Sequence, residues 1–80
     1  MFAEYQVVRL SRDIPEEGLK AGARGAVVMV YPQRPGAPRE YEVEFTDVEG
    51  ATLALLTLSE NQLEPGDDLN AYFLSQPKRP

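Results

Sequence analysis

Seven residues, Glu40-Tyr41-Glu42-Val43-Glu44-Phe45-Thr46, alternate between acidic and apolar side chains. A period of two places alternate residues on opposite sides of an extended chain, so this segment reads as a half-buried β-strand. Tyr41, Val43 and Phe45 then face a core, and Glu40, Glu42 and Glu44 form a ladder of carboxylates in solvent. A single strand is not stable alone. Asp47-Val48-Glu49-Gly50, ending in glycine, has the composition of a hairpin connection and predicts a partner strand over Ala51–Leu58. Alanine and leucine are also good helix formers, so helix competes there. The preceding hairpin signal and the short length favour strand.

Upstream, Tyr5–Leu10 is rich in β-formers and reads as the first strand. Ser11–Gly18 is a loop punctuated by Pro15 and Gly18, with Ile14 and Leu19 folded inward as anchors. Gly18, Gly22 and Gly25 then lead into a strand over Arg24–Tyr31. Glycine suits places where φ turns positive or another backbone comes close, so the cluster marks a tight return onto a sheet. Pro32–Pro38 holds three prolines and a glycine and is an exposed turn. Ser59–Asn61 reads as one helical turn, and Gln62–Glu64 as a closing strand before Pro65-Gly66. The order implies an all-β fold, a small SH3-like five-stranded barrel over residues 1–65. Residues 66–80 form a C-terminal tail. In it Leu69, Tyr72 and Phe73 share one helical face, or Tyr72-Phe73-Leu74 is an extended edge strand. Gln76–Pro80 is frayed.

The eighty residues make one domain, in which burial reaches about 60–65% of the unfolded surface and a single modest core must suffice. There is no cysteine, so no disulfide or zinc–thiolate site reinforces that core, which fits a reducing cytoplasm. The N-terminal residues carry neither a basic region nor a long apolar run, so no signal peptide or membrane span is expected. The net charge is −5, and residues 40–49 hold five acids and no base. Such a stretch repels nucleic acid and attracts a basic protein surface.

Catalytic chemistry is poorly supplied. Histidine and cysteine are both absent, which removes the usual general base and the best nucleophile. Glu42 and Glu44 lie about 7 Å apart on one strand face, a spacing that a carboxylate pair can use, but alternation alone accounts for them. Asp47 and Glu49 lack the oxygen-ligand spacing of a calcium loop. The glycine cluster lacks the Gly-Lys-Ser/Thr ending of a phosphate loop and precedes a strand rather than a helix. No catalytic residue, cofactor or metal is therefore expected. Arg9, Arg12, Lys20 and Arg24, with Tyr5 or Tyr31 for stacking, offer a small basic side for nucleic acid.

Apolar surplus is the stronger clue. Only one face of each strand in so small a barrel is interior. Val27-Val28-Met29-Val30-Tyr31 and Leu53-Ala54-Leu55-Leu56 are apolar on both faces. Either the tail covers the surplus or a second chain does.

Several blocks in order also carry a resemblance: Val7-Val8-Arg9-Leu10, Asp13-Ile14-Pro15-Glu16-Glu17-Gly18-Leu19, Gly22, Gly25-Ala26-Val27-Val28, Tyr41-Glu42-Val43-Glu44-Phe45, Gly50 and Leu56-Thr57-Leu58. Over residues 5–65 the chain resembles the small bacterial proteins called domain of unknown function 4926. The resemblance implies a small barrel similar to SH3 and KOW modules, with Gly22-Ala23-Arg24-Gly25 echoing their turn. It implies free-standing cytoplasmic proteins, some encoded beside suspected toxins, and so an antitoxin-like or immunity-like binding role. It carries over no catalytic residue. The tail and the Pro32–Pro38 turn depart from the family's core.

Taken together, these features predict a non-enzymatic protein-binding module. Its partner-binding residues are Glu40, Glu42, Glu44, Met29, Tyr31, Leu55, Tyr72 and Phe73, and its partner is another protein or a second copy. The alternative is a KOW-like nucleic-acid-binding barrel.

Overall fold

The computed structural model describes residues 1–66. Five strands run β1 (Val7–Leu10), β2 (Arg24–Val30), β3 (Glu40–Thr46), β4 (Thr52–Ser59) and β5 (Leu63–Pro65). All neighbours are antiparallel, and the order across the single sheet is β4-β3-β2-β1-β5. The fold is all-β. The ladders join β4 to β3, β3 to β2, β2 to β1 and β1 to β5. No ladder among the described residues joins β4 to β5. Closure of the expected barrel therefore does not come from strand pairing there, and β4 and β5 are the sheet's two edges. Residues 52–58 are extended, so strand prevails over the competing helix.

The sheet wraps one apolar cluster. Phe2, Val8, Leu10, Ile14, Leu19, Val27, Tyr41, Val43, Phe45, Leu58 and Leu63 are buried together, and every strand contributes. The β3 alternation is realised on its inner side, where Tyr41, Val43 and Phe45 are almost wholly buried. Ile14 and Leu19 are buried, and a β-bridge links them across the first loop. Between them Pro15–Glu17 forms a 3-10 turn, ended by Gly18 in the left-handed conformation.

The glycine cluster divides by cause. Gly18 and Gly22 have positive φ. Gly25 serves instead as a point of close approach: a Cβ there would lie 2.9 Å from the Glu44 carbonyl oxygen and from Phe45 and Val43 side-chain atoms.

Two β-bulges decide which side chains face out. In the β2–β3 ladder Val27 opposes Val43 and Met29 opposes Glu42, so Val28 is the extra residue. An extra residue inverts the facing of every later residue in its strand. Val27 is fully buried, Met29 is exposed, and Val30 returns to the core. In the β3–β4 ladder the pairing steps from Phe45–Ala54 to Thr46–Thr52, which leaves Leu53 without an opposite residue.

Several expected boundaries move by one or two residues: β2 ends at Val30 rather than Tyr31, and β4, the turn after it and β5 each lie one residue later than expected. The first strand begins at Val7, not Tyr5. Tyr5 sits in a turn with φ of 70° and is exposed, while its N–H still donates to the Val27 carbonyl at 2.6 Å. The closing strand runs through Pro65, which opposes Val8. Proline is tolerated there because β5 is an edge strand. Before it, Glu60–Gln62 forms a 3-10 turn, and Gln62 Oε1 accepts the Ser59 N–H at 2.9 Å.

Candidate interaction surface

The outer side of the sheet is built from rungs. Thr57, Glu42 and Met29 lie in register across β4, β3 and β2. Leu55, Glu44, Ala26 and Val7 form the next rung and reach β1. Glu42 and Glu44 therefore run down the middle as an acidic stripe, with Met29 on one flank and Leu55 on the other. Adjacent strands lie about 4.8 Å apart, so the flanks stand about 10 Å from each other. Met29, Leu53 and Leu55 are 48%, 61% and 54% exposed.

The carboxylates are not the free solvent ladder expected from the alternation. Glu40, Glu42 and Glu44 are half-buried. Glu42 Oε1 accepts hydrogen bonds from the Tyr31 hydroxyl at 3.0 Å and the Thr57 hydroxyl at 2.6 Å. Glu44 Oε2 accepts from the Thr52 hydroxyl at 2.5 Å. Hydroxyls from β4 and from Tyr31, the residue after β2, thus anchor the stripe. A hydrogen bond to ionised Glu42 stabilises the neutral phenol, so the Tyr31 hydroxyl is pushed above its ordinary pKa, with burial adding to the shift.

Of the predicted partner-binding residues, Met29, Tyr31, Glu42, Glu44 and Leu55 come together here. Glu40 lies beside them and lines a shallow hollow with Tyr31, Pro32, Arg34 and Thr57. Tyr72 and Phe73 lie outside the described residues. Sequence reasoning missed Thr52 and Thr57 as parts of the surface, and it marked Leu53 only as part of the apolar surplus. The signal was the β4 alternation itself, which buries Leu58 and leaves Leu53, Leu55 and Thr57 exposed.

The β1–β2 side of the same surface differs. Arg9 and Arg24 are register partners, and Arg9 also opposes Glu64 on β5. Arg9 Nη1 donates to the Gly22 carbonyl at 3.0 Å. An open groove of about 540 Å³ runs here between the two arginines and Glu44, Thr46, Asp47 and Val48. Its lining thus mixes both charges. Arg12 and Lys20 are exposed in the first loop.

At the far end of β3 a second polar cluster ties down the N-terminal segment. Phe2 packs edge-on against Tyr41, with ring centroids 5.5 Å apart. The Tyr41 hydroxyl accepts the Phe2 N–H at 3.0 Å and donates to Glu60 Oε1 at 2.8 Å. The Met1 ammonium lies 3.6 Å from the same carboxylate. Burial pushes the Tyr41 hydroxyl above its ordinary pKa. The bond from Tyr41 holds Glu60 below its ordinary pKa, against a smaller opposing effect of desolvation.

A family model matches residues 4–65. The chain belongs to the family described as Domain of unknown function (DUF4926). The match spans all five strands, so the rungs of the outer surface lie within the family's domain. No curated protein and no solved structure matches the chain. Among the described residues, no group of three or more Asp, Glu, His or Cys side chains is placed to hold a metal ion. No helix there is long and apolar enough to cross a membrane.

Proposed function

We propose that this DUF4926 protein is a non-enzymatic protein-binding module whose outer sheet surface docks a partner protein. One observation carries the reading: Met29, Leu53 and Leu55 remain exposed although every strand already contributes to a buried core. Their arrangement describes the partner. An acidic stripe between two apolar flanks suits a surface that presents Lys or Arg between apolar side chains. The carboxylates steer the encounter, and the apolar flanks supply buried contact. Because Thr52, Thr57 and Tyr31 already hold Glu42 and Glu44, little side-chain freedom is lost on docking. An antitoxin-like or immunity-like role in a cytoplasmic setting is the form of this reading that the family resemblance suggests.

Nucleic-acid binding on the Arg9–Arg24 side is the weaker reading, because Glu44, Asp47 and Glu64 share that side.

The test is capture of a partner from native lysate by the immobilised chain, beside a Met29→Ser/Leu55→Ser variant. The expected result is a partner held by the wild type, lost from the variant and weakened as salt rises. Equal capture by both chains, or none at any ionic strength, overturns the proposal.

A further inference from the structure

The two edges of the sheet are protected very differently. The β5 edge is three residues long, carries Glu64 and ends in Pro65. Short length, charge and proline are the usual means of keeping an edge from pairing with another chain. The β4 edge is eight residues long, Thr-Leu-Ala-Leu-Leu-Thr-Leu-Ser, with no charge and no proline. Its one interruption is the bulge at Leu53, which leaves that residue without a partner on β3.

The hydrogen bonds determine which β4 peptides face the free side. The Glu60 N–H donates to the Arg39 carbonyl at 2.8 Å, which makes 39–60 a hydrogen-bonded pair in the continuing β3–β4 register. Bonded and non-bonded pairs alternate along an antiparallel ladder. Ala54 therefore points its peptide groups at β3, and Leu55 and Thr57 point theirs away. Near Leu56–Leu58 the 3-10 turn holding Glu16 and Glu17 borders the strand. Among the described residues, the half of this edge that the turn does not border is Thr52–Leu55.

We infer that a second copy of this chain pairs antiparallel along this half of β4, with Ala54 on the two-fold axis. The register puts Leu53 opposite Leu55 of the other copy and gathers four exposed leucines on one side of a continued sheet. Ala54 then opposes its own symmetry mate in a non-bonded pair. Such pairs bring Cα atoms to about 4.5 Å, where a small side chain fits. Charge opposes a like copy least here. A chain of net charge −5 repels itself, and β4 is where an identical molecule meets no carboxylate on the pairing strand. The same register brings the Asp47–Glu49 turn toward the partner's Glu16 and Glu17, so added salt strengthens the association. That dependence is opposite in sign to the one expected for a basic partner on the outer surface. The dimer does not require the outer surface to have a partner, so either reading can fail without the other.

The experiment uses the full chain. Sedimentation velocity across protein concentration, at low and high salt, reads the monomer–dimer balance. Ala54→Cys and Thr57→Cys are compared under mild oxidation, in a chain with no other cysteine. The expected results are a concentration-dependent dimer favoured by salt and rapid crosslinking of Ala54→Cys but not of Thr57→Cys. Leu55→Lys shifts the dimer constant at least about tenfold toward monomer while the circular dichroism of the fold is retained. A monomer at every concentration and salt overturns the inference, as does a dimer indifferent to Leu55→Lys or crosslinked equally by both cysteines.

Discussion

The two sides of β3 are built from alternate residues of one seven-residue strand, yet they are held by different forces. Inside, Tyr41, Val43 and Phe45 are almost wholly buried and depend on close packing. Outside, Glu40, Glu42 and Glu44 are half-buried, and Glu42 and Glu44 depend on hydroxyls reaching in from β4 and from Tyr31 just past β2. The inner side has little tolerance, because removing a buried group costs both its transfer energy and a cavity. The outer side exchanges protein partners for water at small net cost. A surface that can change is therefore mounted on a scaffold that cannot.

The most severe way to break this contrast is Phe45→Ala. It leaves a cavity beneath Gly25 and Val43 and should destabilise the fold by about 3–5 kcal/mol in urea denaturation. A loss under about 1 kcal/mol would mean that close packing on the inner side is not what holds the fold. Tyr41→Phe comes next. The ring stays packed against Phe2, but the Phe2 N–H loses its acceptor and Glu60 its donor, so a loss of about 1–3 kcal/mol is expected from the same measurement. On the outer side, Thr57→Val removes one of the two hydroxyls on Glu42 and should cost only about 0.5–1 kcal/mol. Leu55→Ser, at an exposed position, should stay within about 0.5 kcal/mol of wild type, so any loss of binding it causes is not a loss of fold.

The smallest effect sharpens the comparison at the end of β3. The folded protein holds the pKa of Glu60 below its ordinary value of 4.5, first through the Tyr41 hydroxyl. A depressed carboxylate pKa contributes stability that is present above the unfolded value and is lost as pH falls through the folded one. Thermal unfolding monitored from pH about 6 to about 3 should therefore decline more steeply in wild type than in Glu60→Gln. Parallel declines would show that the carboxylate contributes nothing to acid sensitivity.

Much of this architecture was readable from local pattern. The Glu40–Thr46 alternation, the Asp47–Gly50 turn and the Gly18/Gly22/Gly25 cluster each demand one backbone behaviour, and the strands formed where those demands placed them. Ile14 and Leu19 were legible as anchors because they are apolar residues in an otherwise polar loop. The surface was legible only as a surplus of apolar residues. Val27-Val28-Met29-Val30 offers no polar residue to mark which parity faces out, so nothing local announces that Val28 is the bulge.

Sequence alone determined the class of the fold, the identity of the strands and the inner side of β3, because period and turn chemistry act within a few residues. Tertiary structure alone decided that Met29 faces out with Glu42, that Thr52, Thr57 and Tyr31 hold the acidic stripe, and that β4 lies at an edge. Those outcomes depend on the register between strands distant in the chain, and a single extra residue in one strand is enough to invert it.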